Sequence, residues 1–351
     1  MKRLLAVVLT VVCLLSVTAC TPNSNLAKFT DYSFDYFDTA TTLVGYAETK
    51  DEFDTVCAEI KELLGEYHRL YDIYHRYDGV NNLCTVNELH DGQHQPVKVD
   101  DKLMDMLVYA RELYGVTCGK VNVAMGSVLS IWHRYRTAGM DDPATAALPR
   151  MTELKAAAEH TDISQMMLDE NASTVFLADP EMTLDVGSIA KGYAVEQIAL
   201  HLEEQGISGY ILNVGGNVRC VGSQPNGKPW SVGVENPDTS DEDNPYIAYL
   251  KLEGKSLVTS GSYQRYYTVN GKPYHHIIDP ETLYPSTEFR SVSVLCTHSG
   301  RADALSTALF TMSYEQGSAL VKSLKDVEAM WVLNDGEQRY SDGFEAYMYQ
   351  P

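Results

Sequence analysis

From Asp51 onward the apolar residues Phe53, Val56, Ile60, Leu63, Leu64 and Tyr67 recur at intervals of three and four. That spacing predicts a helix with one face on a core. A second helix is predicted behind Asp100, which suits an N-cap, with Leu103, Leu107, Ala110 and Tyr114 sharing a face. Ahead of the first helix, Tyr36 to Tyr46 is rich in Thr and aromatics and reads as a strand. Tyr71 to Asn87 and Met140 to Pro149 read as loops. The second half alternates with period two at Trp230–Val234 and Tyr266–Val269, Ile211–Val214 runs into Gly215-Gly216, and Val327–Leu333 is a further strand. Asn270-Gly271 between two such runs predicts a tight hairpin, because both positions tolerate positive φ. Arg301 to Met312 reads as helix. Interleaved helices with frequent hairpins predict an α+β fold with mainly antiparallel or mixed sheet, and not a doubly wound parallel one.

The N-terminus follows a different pattern. Lys2 and Arg3 precede an apolar run from Leu4 to Val17, too short for a comfortable membrane span. Val17-Thr18-Ala19-Cys20 resembles a bacterial lipobox, in which the Cys thiol is acylated and becomes the new N-terminus. An ordinary signal peptide and an uncleaved anchor are the alternatives; the polar Thr21-Pro22-Asn23-Ser24-Asn25 stretch favours the lipoprotein. The expected organisation is a signal peptide over 1–19, a lipidated tether over 20–34 and one enzyme-sized domain over 35–351. Cys20 would anchor it to the extracytoplasmic face of a bacterial cell membrane.

The apolar content of 44% and charged content of 21% are globular values. A formal net charge of −21 argues against nucleic acid and against anionic lipid as partners, which leaves membrane attachment to the lipid. Of seven cysteines, Cys13 leaves with the signal and Cys20 carries lipid. Cys57, Cys84, Cys118, Cys220 and Cys296 show no metal-ligand spacing and read as free thiols.

Four segments combine Gly with reactive polar residues. In Asp185-Val-Gly-Ser-Ile-Ala-Lys-Gly-Tyr-Ala an apolar strand is expected to end at Asp185 and a helix to begin near Ile189. Such a junction presents backbone N–H groups and Lys191 to an anion, or is a plain turn with a solvated lysine. Leu212-Asn-Val-Gly-Gly-Asn217 allows close backbone approach to a flat ring or phosphate, as it would allow a bulge or turn. His275-His276-Ile-Ile-Asp279-Pro280 offers phosphate binding or proton transfer, or simply structural histidines. In Arg301-Ala-Asp303-Ala-Leu-Ser-Thr307-Ala, Asp303 and Thr307 lie four apart on one helix face. Both are hard oxygen ligands suited to Mg²⁺, although Thr307 bonded to its own helix would need no metal.

Taken in order, DVGSIAKGYA, LNVGGN, TSGSYQRYY, HHIIDPETLYP and ADALSTALF resemble the FAD:protein FMN transferase, or ApbE, family. The resemblance covers the chain from roughly Phe37 to the C-terminal strands. It implies a T-fold-like α+β architecture and transfer of FMN from FAD to a Thr or Ser hydroxyl of a target protein, with release of AMP. It implies Mg²⁺ held by Asp303, Thr307 and Ser188, the last through its carbonyl. Asp303, His276 and Lys191 are the implied catalytic set. FAD contacts are implied at Phe37, Tyr74, Lys120, Val121, Asn122, Asp185, Lys191 and Ile277, with Tyr74 placed to stack on a flat ring. Acceptors implied by the family are subunits of membrane redox complexes and exported flavoproteins. The chain departs from the family pattern at Asn122, where Asp is frequent, at Leu283, where Gly is frequent, and at Asn217, which replaces a common acidic residue. Hydrolysis of FAD to FMN and AMP, and flavin binding without catalysis, are the competing functions.

Overall fold

The computed structural model describes residues 26–350 apart from His94, so the signal segment and Cys20 lie outside the described residues. In chain order the strands are β1 (Ala27–Tyr36), β2 (Thr39–Ala47), β3 (Val97–Lys98), β4 (Met166–Asp169), β5 (Thr174–Leu177), β6 (Tyr210–Val214), β7 (Asn217–Val221), β8 (Trp230–Glu235), β9 (Tyr246–Leu252), β10 (Ser256–Gly261), β11 (Tyr266–Val269), β12 (Lys272–His275), β13 (Phe289–Cys296), β14 (Val327–Leu333) and β15 (Gln338–Tyr340). The helices are α1 (Lys50–Tyr71), α2 (Leu83–Gln93), α3 (Asp101–Val116), α4 (Gly126–Asp141), α5 (Met151–Ala158), α6 (Ala190–Glu204), α7 (Ser299–Phe310) and α8 (Tyr314–Ser323).

One eight-stranded sheet, ordered β1-β2-β6-β7-β10-β13-β14-β15 and antiparallel throughout, organises the molecule. The α+β expectation with antiparallel sheet holds. Both faces of the sheet are covered. Along β14, Ala329 and Trp331 point into a core shared with α1, α6 and α7, while Met330 and Val332 point into a second core under the β8–β9 hairpin. A third cluster packs Val128 and Trp132 of α4 and Leu154 of α5 against Tyr267 and Val269 of the β11–β12 hairpin. The Asn270-Gly271 turn of that hairpin has both residues at positive φ, as predicted.

Local sequence explains where the helices start. Thr49 and Glu52 form a reciprocal capping box ahead of α1, and Asp100 accepts from Lys102 N at the start of α3. α6 has no side-chain cap of its own at Ile189. Instead Asp303 of α7 reaches across and accepts from Gly192 N, in the first turn of α6, at 2.8 Å. Gly192 has to be glycine: a Cβ there would lie 2.5 Å from both Asp303 Cβ and Ser299 O. The same pair of helices is pinned further along by buried Glu196, which accepts from Ser299 N at 2.6 Å and from Arg219 Nε of β7 at 3.2 Å.

Several expected boundaries change. The stretch assigned to the tether is already strand from Ala27, and the single strand over Tyr36–Tyr46 is two strands joined by a Phe37-Asp38 turn. α2 begins at Leu83, inside the expected loop. Asp185 ends no strand: Met182–Val186 belongs to no helix or sheet, with Asp185 N donating to Val123 O and Asn87 bonding both backbone groups of Leu184. These partners come from distant sequence, and they replace the ladder that a strand would need. The five cysteines are free, and all but Cys118 are buried. No helix among the described residues is long and apolar enough to cross a membrane.

The Gly192 contact generates a stability prediction. Gly192→Ala should lower the unfolding free energy by about 1–3 kcal/mol, the usual cost of overpacking a tight contact. Urea unfolding of both proteins checks it; an unchanged midpoint would mean the helices are free to separate.

Candidate active site

A cavity of about 330 Å³ opens where the N-terminal end of α6 and the middle of α7 meet the β1–β2 turn, the loop after α1 and the end of β12. Nearly every predicted site residue lines it: Phe37, Tyr74, Lys120, Val121, Asn122, Asp185, Ser188, Lys191, His276, Ile277, Asp303 and Thr307.

At its base Asp303 is buried, with Lys191 Nζ 3.9 Å from the same Oδ2 that accepts from Gly192 N. Burial raises the Asp303 pKa, while Lys191 and the Gly192 amide oppose the rise. Thr307, one turn along α7, sits 3.5 Å from Ser260 Oγ of β10, which in turn bonds Ser306 at 2.8 Å. Asn217 Oδ1 is buried without a partner beside them. This is an all-oxygen donor set with one carboxylate. No group of three or more His, Cys, Asp or Glu side chains that could hold a metal exists among the described residues. The donors therefore suit Mg²⁺, which is commonly held by one or two carboxylates plus substrate phosphates, and do not suit zinc.

The two adjacent histidines divide sharply. His275 is structural: Nε2 meets Ser286 O at 2.6 Å, and Nδ1 accepts from Ile277 N at 3.2 Å. His276 lines the cavity, with Nδ1 3.2 Å from Arg265 O. A carbonyl only accepts, so Nδ1 carries the proton and Nε2 keeps its lone pair. Burial, then Arg265, His275, Arg136 and Lys191, lower its pKa to about 3. Asp279, the other polar residue of that segment, holds a turn and pairs with Lys120 Nζ at 2.9 Å.

The opposite wall is built by Asp72. Its carboxylate accepts from Tyr74 N at 2.7 Å, His75 N at 3.1 Å and Tyr77 Oη at 2.8 Å. Burial acts to raise its pKa, but these hydrogen bonds prevail and hold it below the usual value. The loop so fixed presents Tyr74, 58% exposed, with its hydroxyl 3.1 Å from His133 Nδ1. Burial lowers the His133 pKa against the opposing pull of Asp185. Phe37 occupies a left-handed turn with Asp38, at φ 53° and 50°, held by Phe37 N to His68 Nδ1 at 3.2 Å and Arg265 Nη2 to Asp38 O at 3.1 Å. Two of the expected cofactor contacts have side chains engaged elsewhere. Lys120 pairs with both Asp279 and Glu281, and the Asn122 amide caps Val123–Met125 and bonds Thr161 O.

A sequence model of the ApbE family matches residues 35–331. The chain belongs to the ApbE family. An FAD:protein FMN transferase of Klebsiella pneumoniae (strain 342) is 32% identical over 276 residues, covering 76% of this chain and 82% of that protein. One from Vibrio cholerae serotype O1 is 31% identical over 304 residues, covering 86% and 84%. A crystal structure of an ApbE protein from Thermotoga maritima superposes with a TM-score of 0.78 at 26% identity, over 92% of this chain and all of that one.

This ApbE chain also contributes cavity residues that its motifs did not single out. Arg136 of α4 has no carboxylate within ion-pair distance among the described residues, and Arg265 bonds only a backbone carbonyl. The motif TSGSYQRYY contains Arg265, but nothing in the spacing distinguishes it; Arg136 lies in the helix Gly126–Asp141 with no glycine-rich signature beside it. With Lys191 they place three cations on a wall that also carries the carboxylates of Asp38, Asp72, Asp185 and Asp303. Guanidinium groups left without a carboxylate partner favour an anion.

His276 predicts a pH effect with a defined sign. Its folded pKa, about 3, lies below the ordinary 6.5, so the unfolded chain binds the proton first as pH falls. Its contribution to stability is complete above about pH 6.5 and is lost progressively toward pH 3. His276→Gln should flatten the fall in unfolding free energy between pH 7 and 4. Denaturant titrations at several pH values check this, and identical slopes would contradict it.

Proposed function

We propose that this chain is a Mg²⁺-dependent FAD:protein FMN transferase acting on a Thr or Ser hydroxyl of other flavoproteins. The observation that carries the reading is the meeting, in one cavity, of unpaired cations, an oxygen-only metal set and a neutral imidazole. The curated relatives bear the same activity in their names. FAD is an anionic dinucleotide, and Arg136, Arg265 and Lys191 supply the charge to hold its diphosphate. Asp303, Thr307 and Ser188 would hold Mg²⁺, with Ser188 using its carbonyl, and the ion would neutralise charge on the diphosphate oxygens.

The acceptor oxygen attacks the phosphorus on the FMN side of the diphosphate. A new phosphoester bond forms there, and the bond to the bridging oxygen breaks, so that AMP leaves. His276 Nε2 takes the hydroxyl proton while Nδ1–H remains on Arg265 O. Burial and then the nearby cations hold the His276 pKa down; a diphosphate bound among Arg265, Arg136 and Lys191 would offset their charge and raise the basicity of the imidazole. Tyr74, presented by the Asp72 loop, stacks on a flat ring of the cofactor, and Ile277 closes the apolar side. Asp185 accepts from Gly187 N at 2.9 Å and so shapes the turn that carries Ser188 and Lys191. The predicted lipid anchor on Cys20 would place this chemistry at the extracytoplasmic membrane face, within reach of redox-complex subunits and exported flavoproteins.

A single assay tests the function. The chain without its first 25 residues is mixed with FAD, Mg²⁺ and an acceptor domain carrying a Ser-Gly-Ala-Thr-like motif. The acceptor should gain the mass of FMN, and EDTA or Asp303→Ala should abolish the gain. Free FMN and AMP without an adduct would identify a pyrophosphatase instead. His276→Asn should reduce turnover about 10²–10⁴-fold, the usual contribution of a positioned base. FAD affinity should change little; an unaltered turnover would remove His276 from the proton transfer.

A further inference from the structure

Beside the cavity runs a second, more open groove lined by Phe34, Glu235, Tyr263 and the rim of the cavity itself. Five residues, Asp38, Thr39, Gly215, Gln264 and Arg265, line both. We propose that this groove seats an extended segment of the FMN-acceptor protein and delivers its Thr or Ser hydroxyl over the Asp38–Arg265 rim; the proposal rests on the transferase reading above.

The transfer needs two substrates of different size at one phosphorus atom. FAD fits a cavity, but the second substrate is a folded protein whose main chain cannot enter one. It needs a surface channel that meets the cavity, and this groove shares an edge with it. The strand at that edge is shaped for contact. β1 is the edge strand of the large sheet, and its register with β2 slips between Ser33 and Tyr36. This bulge is held by Ser33 Oγ, which donates to Asp35 Oδ2 at 2.7 Å and accepts from Asp35 N at 3.3 Å. Bulges re-aim side chains, and here the outward residue is Phe34, 76% exposed, with Tyr32 at 67% on the same face two positions before. Phe34 lines the groove and Tyr32 stands beside it on the same strand face, and exposed aromatics in a groove that shares an edge with the cavity are candidate anchors for a protein partner.

The tip of the same hairpin divides the two spaces. Phe37 lines the cavity, Phe34 lines the groove, and Asp38 lines both. Phe37 and Asp38 are consecutive non-glycine residues in the left-handed region. That conformation is unfavourable for L side chains and persists where surrounding structure imposes it. The bonds from His68 and Arg265 impose it here, and they fix the divider relative to both substrates. Across the groove Tyr263 Oη donates to Glu235 Oε2 at 3.0 Å, which fixes the far wall.

The test separates the two substrates kinetically. Phe34→Ser and Tyr32→Ser alter exposed side chains on a strand edge, outside the cavity. Transfer to the purified acceptor domain is measured against acceptor concentration at saturating FAD, and FAD binding is followed by flavin fluorescence. The double variant should raise the KM for the acceptor about tenfold, with kcat and FAD affinity unchanged. Leu200→Ser, on exposed α6 surface, should match the wild type. An unchanged acceptor KM in a wild-type background that does transfer FMN overturns the groove alone. A wild type that binds FAD and never modifies the acceptor overturns the transferase reading, and the groove with it. Dimers in sedimentation that the double variant dissolves, with acceptor KM unchanged, assign the face to self-association and also overturn the proposal.

Discussion

The bond from Asp303 to the Gly192 amide is the constraint on which the site depends. It lets a carboxylate from one helix stand in for the missing cap of another, so the helix N-terminus and the acid stabilise each other. The contact is possible only because residue 192 has no side chain, and it brings Lys191 and the Ser188 turn to the same place as Thr307. A buried carboxylate is costly unless paired. Here one oxygen is committed to the helix start and a lysine stands 3.9 Å away, an arrangement that fixes the carboxylate at the base of the cavity.

Charge is distributed unevenly. An acidic chain sets Arg136, Arg265 and Lys191 around one imidazole; Lys191 stands near Asp303, while neither guanidinium has a carboxylate within ion-pair distance among the described residues. Other charged residues nearby are taken up in building the walls. Lys120 is locked between Asp279 and Glu281, and Asp72 is saturated by the loop that displays Tyr74. Scaffold and reactive groups thus share residue types and differ in whether their hydrogen-bonding capacity is already filled.

Left-handed backbone at non-glycine residues occurs at Phe37 and Asp38 on the cavity wall and at Leu283 in the loop after Pro280. Leu283 sits at φ 61°, a left-handed conformation that glycine adopts at less cost than leucine. In this chain the leucine side chain is buried against the third core, and its carbonyl accepts from Trp132 Nε1 at 2.9 Å, so burial and a hydrogen bond offset the conformation. The Phe37-Asp38 turn is held by polar contacts from His68 and Arg265, while the Phe37 ring packs against the main core and edge-on to the His68 ring.

Periodicity was enough to read α1, α3, the Asn270-Gly271 hairpin and β14, because those signals are local: a helical face, a cap, two residues that accept positive φ. The motifs around Asp185, His276 and Asp303 were each open to a structural reading on their own and gained their roles from the family resemblance; the cavity gathers them. Tertiary structure alone decided the rest. Which histidine of the pair faces the cavity depends on Ser286 and Arg265, each eleven residues from the histidine it meets, whose carbonyls only the folded chain presents. That Met182–Val186 is not a strand depends on Asn87 and Val123. Arg136 and Arg265 carry no motif, and their importance arises from being left unpaired in a shared space, a property of three-dimensional neighbours that no run of residues encodes.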